Sequence, residues 1–482
     1  MQKSKLLFAL TLLYCLICGA QTEITHFKND LKTSYSFVKN IIPTVNKDTN
    51  ELVIFIMDPK KVYTYKLNEN FKVVDKITSE NKKRKYKTIL GSTLNKDDCM
   101  LFLSNSDQEK FAYVNLSFQD QTTIFQEFSL HKGDNFVQSF SYKNRFYMLA
   151  INKNSKDILL YEFNSKNKKI ERNKIDEKNN FLLTKNDQVK RIADVINKYG
   201  RRIQKFEKDT PNSIESVSSL IKMYLKNNEI IVSFDENLKG TQVITINIDK
   251  KTITKKTFMN PLSKIKSFRK KSNSFIYDDI ITLISGDANI FKMHILKYSS
   301  GELIQEYAIS KDEEISFKNT PIIQTGGEYA KFREFEKTSK FLRKISAGNM
   351  GVSIIKNNDD YQFTIGGYVT RNSPGGAIPM MGMGAFGGIP LGSVSNVTFY
   401  FNPTMFAYNS FNTTKSTKIE CLFNKHLEHI EKEERLETIF DKIKKHKVSN
   451  ISHETLFKYK NFFIQGYYSK LNKSYYLIKF TQ

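Results

Sequence analysis

The segment 371–393, RNSPGGAIPMMGMGAFGGIPLGS, has the residue types that most suggest binding chemistry. Its glycines permit unusual backbone angles, and its methionines and phenylalanine offer soft, adaptable apolar contacts. The candidate binding residues of this segment are Arg371, Met380, Met381, Met383 and Phe386. We expect a lid or partner-docking loop; a hairpin extension without a binding role is the alternative. Copper coordination needs more ligands than three methionines supply, so no metal is predicted there.

Two further candidate binding residues, Arg201 and Arg202, directly follow a predicted helix over Asp187–Tyr199. The helix is predicted from apolar residues at 3- and 4-residue spacing: Val189, Ile192, Ile196 and Tyr199. Gly200 is the residue type that ends helices in a left-handed conformation. We therefore include both arginines in the predicted binding surface.

Histidine and carboxylate side chains occur at metal-ligand spacing in a second predicted helix, Asn424–Lys447. His426, His429 and Glu433 would share one helical face. Their neighbours are Lys and Glu, as on an ordinary solvated helix, so neither a metal nor another cofactor is predicted. The acidic pairs at 97–98 and 359–360 fall at hairpin turns, where Asp is favoured because its side chain hydrogen-bonds to the nearby backbone.

Motifs that would mark an enzyme are absent from the sequence. There is no nucleophile elbow, phosphate-binding loop, zinc-protease motif or paired-cysteine motif. No catalytic residue is therefore predicted. An enzyme remains the second hypothesis, because a sequence does not show which side chains converge in space.

The elements that must position these residues are short strands. Within residues 51–78, Leu52–Met57 is rich in β-branched and aromatic residues, and Val62–Leu67 alternates apolar with polar residues. Polar turns of the Asp-Pro and Asn-Glu-Asn type separate these strands and lead into a third strand, 72–77. The same pattern of strand and turn recurs along the chain.

Seven such units of about 45–50 residues, each with four strands, are predicted when four segments that do not resemble strands are set aside. Those insertions are 176–217, 311–338, 370–396 and 424–450. The predicted third strands end at Leu67, Leu116, Phe163, Ile248, Tyr298, Phe401 and Phe480. We expect all four insertions on one face of the ring, since links between units leave each unit at the same end.

The last unit lacks a fourth strand, and a spare strand, Ser34–Val38, precedes the first unit. A closed ring needs the two termini to share one sheet so that no edge stays open. We therefore expect Ser34–Val38 to pair with Tyr475–Phe480. Cys99 and Cys421 fall in units two and six, and this separation predicts that they do not form a disulfide.

The first 20 residues resemble an export signal that is removed from the mature chain. Lys3 and Lys5 precede the apolar run Leu6–Cys18, and small residues follow up to position 20. A lipid anchor at Cys15 or Cys18 is the weaker alternative, because bulky residues precede both cysteines. Residues 21–482 are predicted to form one exported domain, in the periplasm, at the cell surface or secreted.

The chain has 75 Lys and Arg against 50 Asp and Glu, a net charge of +25. In an exported protein this excess favours an anionic surface or polymer over nucleic acid. The spread of Lys through nearly every turn is nevertheless the stronger explanation of the charge. The predicted partners are a protein or an anionic envelope polymer, with no nucleic acid. Peripheral contact with a membrane surface is left open, and a monomer is expected.

In period, strand count and closure the sequence resembles the β-propeller superfamily. It lacks the Gly-His and Trp-Asp signatures of WD repeats and the paired glycines of kelch repeats, so the resemblance implies an architecture without an activity. We expect an all-β, seven-bladed propeller with helical and Gly-rich insertions on one face. The leading functional hypothesis is an exported binding or scaffolding propeller. The alternative is a propeller hydrolase or lyase that acts at the mouth of the central channel.

Overall fold

A computed structural model describes most of the chain after position 20. The described residues are 21–46, 48–95, 97–164, 169–177, 181–200, 203–265, 267, 269–325, 333–357, 359–369, 402–413, 416–432, 437–446, 448 and 451–481. The predicted signal segment and the segment 371–393 therefore lie outside the described residues. Among the helices that are described, none is both long and apolar enough to cross a membrane.

The chain forms seven blades of four or five strands in the described regions, and their strands pair antiparallel except for the first pair of blade 4. Strand β1 is Gln21–Lys28. Blade 1 contains β2 to β5, which are Asn40–Val45, Leu52–Met57, Val62–Leu67 and Val73–Thr78. Blade 2 contains β6 to β9, which are Thr88–Leu94, Asp98–Ser104, Phe111–Ser117 and Thr122–Phe128. Blade 3 contains β10 to β13, which are Asp134–Tyr142, Arg145–Asn152, Ile158–Asn164 and Lys169–Lys174.

An excursion separates blades 3 and 4. It contains the hairpin β14 and β15 (Phe181–Leu183 and Val189–Arg191), followed by helix α1 (Ile192–Tyr199). Strand β16 (Gln204–Phe206) and helix α2 (Ile214–Val217) come next. Blade 4 contains β16 and β17 to β20, of which the last four are Ile221–Lys226, Glu229–Phe234, Gly240–Asn247 and Thr252–Met259. Blade 5 contains β21 to β24, which are Lys271–Tyr277, Ile280–Gly286, Ile290–Lys297 and Leu303–Ser310.

Blade 6 takes its outer strands from residues that precede its inner strand. These are β25 and β26 (Ile322–Thr325 and Arg333–Phe335), and helix α3 (Thr338–Ala347) follows them. The inner strands are β27 and β28 (Asn349–Asn357 and Asp360–Tyr368); helix α4 (Pro403–Thr413) then leads to β29 (Ser416–Phe423), which pairs with β25. Helix α5 (Ile439–Lys445) precedes blade 7, whose strands β30 to β32 are Ile451–Tyr459, Phe462–Ser469 and Ser474–Phe480. Strand β1 pairs with β32 and completes that blade.

The predicted seven-bladed, all-β propeller is confirmed. Strand burial follows position in the blade: β3 and β4 are buried at every residue, whereas the outer strand β5 is mostly exposed. Aromatic side chains pack adjacent blades face to face, as where Phe102 stacks on Phe146 with ring centroids 3.9 Å apart. Burying one such side chain contributes about 1.5–3 kcal/mol. Between blades 6 and 7, α4 and α5 supply part of the core, including Tyr408 against Phe440.

Ring closure occurs through a different strand from the one predicted. Strand β1 pairs with β32 from Gln21 opposite Phe480 to Lys28 opposite Ser474, with one register shift between Glu23 and Thr25. It occupies the edge that Ser34–Val38 was expected to fill. Ser34–Val38 is instead part of the link between β1 and β2 and forms no strand. The prediction that the termini share a blade is confirmed, and the choice of strand was wrong.

Two insertions and two helices also differ from the predictions. Residues 311–338 supply β25 and β26 to a sheet, although their sequence does not resemble strands. The predicted third strand ending at Phe401 lies outside the described residues, and β29 occupies that place in blade 6. Helix α1 begins at Ile192, since residues 189–191 form β15, and α5 covers seven of the residues predicted helical in 424–447.

In each blade the chain runs outward from the inner strand through antiparallel neighbours. The links between blades and the turns between second and third strands therefore leave the sheet at the same end, and they lie on one face of the ring. We call this the entry face. Its loops are 29–39, 58–61, 79–87, 105–110, 129–133, 153–157, 235–239 and 470–473. The hairpin of β14 and β15 and helix α1 belong to the link between blades 3 and 4, at this face.

Both cysteines expected in the mature chain are predicted to titrate as free thiols. Cys99 in β7 and Cys421 in β29 are unpaired and buried, and burial raises the pKa of each thiol well above its ordinary value. Alkylation in denaturant without reductant, followed by mass spectrometry, should label both. In the native state both should react slowly, because thiolates are scarce and shielded. A peptide that links Cys99 to Cys421 would contradict the blade assignment.

Candidate functional site

The centre of the ring is filled by residues 203–218, which we call the central plug. Its first part contacts blade 3: Gln138 Nε2 donates a hydrogen bond to the carbonyl oxygen of Ile203 at 3.3 Å, and Lys205 Nζ donates to that of Ser139 at 2.9 Å. Strand β16 then runs parallel to β17 of blade 4. Because parallel pairing adds a strand to the inner edge of that blade, the plug extends the sheet into the space that would otherwise be the channel.

The far end of the plug is held by charged and hydroxyl groups. Asp209 accepts a hydrogen bond from Lys458 Nζ of blade 7 at 2.7 Å and another from the Tyr277 hydroxyl of blade 5. Burial acts to raise the pKa of Asp209, but the bonds from Lys458 and Tyr277 outweigh it and hold that pKa below its ordinary value. The Thr404 hydroxyl of α4 donates to the Glu207 carboxylate. Opposite sides of the ring are thus tied through the plug.

The plug returns through a capped turn. Ser213 is the N-cap of α2, and its hydroxyl accepts the backbone N–H of Ser216 at 3.2 Å. Helix α2 packs closely on blade 6, since a Cβ placed on Gly351 would lie 2.9 Å from the backbone nitrogen of Ser218. A cavity of about 60 Å³ lies beside Asp209 and Tyr277. The plug therefore occupies the middle of the ring, although Glu207 and Lys208 keep their side chains exposed.

A larger cleft, of about 420 Å³, opens on the entry face between blades 2 and 3 and the end of α1. It is lined by backbone and polar groups together with a few apolar side chains: Gln108, Glu109, Phe111, Leu130, Gly133, Asp134, Asn135, Phe136, Val137, Lys153, Asn197 and Gly200. Gly133 has a φ of 90°, which lets the link turn sharply into β10. The cleft is large enough for a few side chains of a partner.

One wall of this cleft is fixed by Asp134, whose side chain is fully buried. Its carboxylate accepts hydrogen bonds from Asn152 Nδ2 at 2.7 Å, from the Tyr161 hydroxyl at 2.5 Å and from Arg172 Nε at 2.7 Å. Burial acts to raise the pKa of Asp134, but Arg172, Tyr161 and Asn152 together lower it. With its lone pairs occupied, Asp134 positions the β10 backbone and is not poised to transfer protons.

A histidine and a glutamate meet in a distorted part of the inner strand of blade 7. The pairing of β30 with β31 is interrupted between Ser452 and Thr455, and His453 adopts a φ of 51°, which is strained for a residue with a Cβ. Burial lowers the pKa of His453 to about 4, and its Nδ1 atom is buried without a hydrogen-bond partner. Burial raises the pKa of Glu454, which accepts a bond from Gln465 Nε2.

The described ranges do not include the binding residues that the sequence predicts. Arg201, Arg202, Arg371, Met380, Met381, Met383 and Phe386 all lie outside the described residues. His426 and His429 do not share a helical face, because residues 424–430 form a turn and His429 bridges to Phe423. His429 Nε2 lies 3.0 Å from Asn319 Oδ1. Within the described ranges, no group of three His, Cys, Asp or Glu residues is placed to hold a metal ion.

Sequence reasoning missed both the plug and the cleft. The plug lies inside the predicted insertion 176–217, where the run DTPNS at 209–213 signals a turn and a helix cap before Ile214. The cleft had a weaker signal, Gly133-Asp134 at the start of an inner strand. Neither signal says which blades the residues contact, since those contacts join segments far apart in sequence.

No family model and no curated protein matches the chain. Several solved structures are similar to parts of it. A crystal structure of an ACO/RPE65 chimera has 7% identity and a TM-score of 0.28, covering 55% of this chain and 61% of that one. Cobalt-substituted Synechocystis apocarotenoid oxygenase has 7% identity and a TM-score of 0.28, covering 57% and 62%. Prolyl oligopeptidase B from Galerina marginata has 10% identity and a TM-score of 0.29, covering 69% and 47%. The chain thus spans about three fifths of the length of the oxygenases, and at these values the similarities carry no argument about family or activity.

Proposed function

We propose that the protein is an exported binding or scaffolding propeller that engages a macromolecular partner, a protein or an anionic envelope polymer, through its entry face. The observation that supports this most is the central plug. In an enzyme that worked at the channel, substrate would enter where residues 203–218 stand. The plug occupies that route in the described part of the chain, and the cleft between blades 2 and 3 offers a recess that is open to large partners.

The chemistry of the cleft also favours binding. Its exposed side chains Glu109, Lys153 and Asn197 offer both charges and an amide, whereas its buried Asp134 is saturated with hydrogen bonds. Such a surface recognises polar groups on a partner without activating a nucleophile. The net charge of +25 favours an anionic partner and speeds its approach at low ionic strength.

Blocking the cleft tests the proposal. The variant Asn197→Trp, Lys153→Glu fills the recess and reverses its charge. The matched control carries the same two substitutions on the opposite face, Asn70→Trp, Lys250→Glu, where both side chains are exposed. Each protein is used as bait in the cell-envelope fraction of the source cells, with cross-linking and quantitative mass spectrometry for proteins and sugar analysis for polymers.

We expect the wild type and the control variant to capture the same partner, and the cleft variant to capture at least tenfold less. Capture of an anionic polymer should fall with added salt, whereas an apolar protein interface should resist it. Equal capture by both variants would contradict a role for the cleft. Failure of the wild type to retain any partner would contradict the binding function itself.

A hydrolase or lyase remains the second candidate, supported by His453 and Glu454. Backbone strain and a buried, unpaired imidazole nitrogen are features that collect at active sites. If this candidate holds, the variants His453→Ala and Glu454→Gln should each abolish an activity found by screening the wild type on envelope glycans and peptides. Loss of activity in one with unchanged melting temperature would favour catalysis, while unchanged activity in both would exclude these residues.

A further inference from the structure

The link between β1 and β2 presents two aromatic side chains to solvent at the entry face. Tyr35 is 104% exposed and Phe37 is 73% exposed, relative to the free residue. Single exposed apolar residues are common, whereas large apolar side chains grouped into one exposed patch mark interaction surfaces. Both residues protrude from a loop, so they form a tip and not a groove.

Tyr35 and Phe37 are held in place by two serines that alternate with them in the sequence. Ser34 Oγ and Ser36 Oγ both donate hydrogen bonds to Asp58 Oδ2, at 3.0 and 2.5 Å. Asp58 is buried, and its other oxygen accepts the backbone N–H groups that follow it in the turn, both at 2.7 Å. Residues 34–36 form a bend in which both serine hydroxyls are turned toward Asp58, and the side chains of Tyr35 and Phe37 remain in solvent.

A third exposed apolar side chain lies beside this link. Leu471 is 97% exposed in the turn between β31 and β32. The two loops are joined by a hydrogen bond from the backbone N–H of Asn29 to the carbonyl oxygen of Lys473 at 2.8 Å. Tyr35, Phe37 and Leu471 therefore belong to adjacent loops of blades 7 and 1, and we call them the apolar tip.

The loops around the apolar tip are strongly basic. Their exposed cations are Lys39, Lys60, Lys83, Arg84, Lys85, Lys87, Lys470 and Lys473. The carboxylates nearby are mostly occupied: Asp30 pairs with Lys76, and Asp58 is buried beneath the tip. Two of the cations, Lys83 and Lys85, are paired with Glu127, and the other six remain in the balance. Glu80 is an exposed acid in the same loops. The surface thus combines protruding apolar groups with excess positive charge.

We propose that the apolar tip docks the protein onto the surface of an anionic lipid bilayer. Tyr and Phe suit the interface between headgroups and acyl chains, and stable peripheral binding takes both an apolar and a basic signal. A protruding tip with a basic surround supplies both, and the anchoring by Asp58 means that little order has to be gained on binding. Docking would turn the entry face toward the membrane, so this inference goes beyond the proposed partner binding and does not depend on it.

The chain contains no tryptophan, which allows a direct test. The variant Phe37→Trp places a single fluorophore in the tip. The control variant Leu303→Trp places one at a side chain that is 48% exposed at the start of β24, beside the turn between the third and fourth strands of blade 5 and thus on the opposite face. Emission is measured with vesicles of pure phosphatidylcholine, with vesicles that contain phosphatidylglycerol, with the same vesicles carrying brominated lipid, and with a soluble polyphosphate.

We expect the emission of Phe37→Trp to shift to the blue with phosphatidylglycerol vesicles and to be quenched by brominated lipid, while Leu303→Trp stays unchanged. In co-sedimentation, Tyr35→Ser, Phe37→Ser, Leu471→Ser together should weaken binding at least tenfold at an unchanged melting temperature. Lys60→Gln and Lys470→Gln should each weaken it about fivefold. An unchanged spectrum with anionic vesicles, equal shifts in both tryptophan variants, or the same shift with polyphosphate alone would overturn the proposal.

Discussion

Replacing Lys222 with alanine should lower the free energy of unfolding by about 3–5 kcal/mol, because it leaves a buried carboxylate without its counter-charge. Lys222 in β17 and Asp235 form an ion pair in which both side chains are fully buried. Asp235 also accepts hydrogen bonds from Thr241 Oγ1 at 2.7 Å and from the backbone N–H of Ser274 at 3.3 Å. Burial lowers the pKa of Lys222, which shows the cost of keeping its charge inside.

Denaturant unfolding at neutral pH measures this loss, with the slope of the transition checked for two-state behaviour. The matched control is the double variant Lys222→Met, Asp235→Leu, which removes both charges and keeps comparable volume. We expect it to recover most of the stability, since apolar replacements of a whole buried pair are often neutral. A single variant within about 1 kcal/mol of the wild type would mean that water reaches the pair.

The repeat of strands and turns could be predicted because it depends on local residue patterns. Alternation in Val62–Leu67 and the Asp-Pro turn before it need only neighbouring residues to form. Each blade repeats that local pattern, so the period appears without knowledge of which strands pair. The strand order of blade 6 was not predicted, because its outer strand β25 precedes the inner strand in the chain. No local pattern indicates that β25 pairs with β29, about ninety residues later.

The error over Ser34–Val38 has a specific physical cause. Alternation of Ser with Tyr and Phe favours an extended strand, but residues 34–36 form a bend. The pattern favours burial of the aromatic side, but Asp58 binds the serine side instead. The buried Asp58 carboxylate needs hydrogen-bond donors, and the serine hydroxyls supply them. The serines therefore face the protein and the aromatic side chains face solvent, which is the reverse of what hydrophobicity alone predicts.

The candidate sites were less accessible to sequence reasoning than the fold. Asp209 and Lys458 are 249 residues apart in the chain and meet only because the ring closes around the plug. Likewise, Asp134 forms a wall of the cleft because it contacts Arg172, which lies in the fourth strand of the same blade. Single polar residues in turns look alike in sequence, and the tertiary contact decides which of them shape a site.

Deleting β1, Gln21–Lys28, should cause the largest loss of melting temperature of any short truncation and make the protein aggregate. The deletion exposes the edge of β32, whose sequence SYYLIKF has the high β-propensity and low charge typical of self-associating strands. It also removes Phe27, which packs against Tyr65 and Tyr475 with ring centroids 4.7 and 5.9 Å apart. Thermal scans and light scattering of the mature chain with and without these residues measure both effects.

A cross-link tests the same closure without shortening the chain. His26 and Tyr476 face each other across β1 and β32, with stacked rings 4.9 Å apart. Cross-strand partners have Cα separations within the range of a disulfide, so His26→Cys, Tyr476→Cys should oxidise readily and raise the melting temperature. The buried thiols Cys99 and Cys421 should not interfere. The offset pair His26→Cys, Lys479→Cys should stay reduced, since Lys479 lies opposite Thr22. Equal oxidation of both pairs, or a truncated chain that melts like the wild type, would show that β1 does not close the ring in this register.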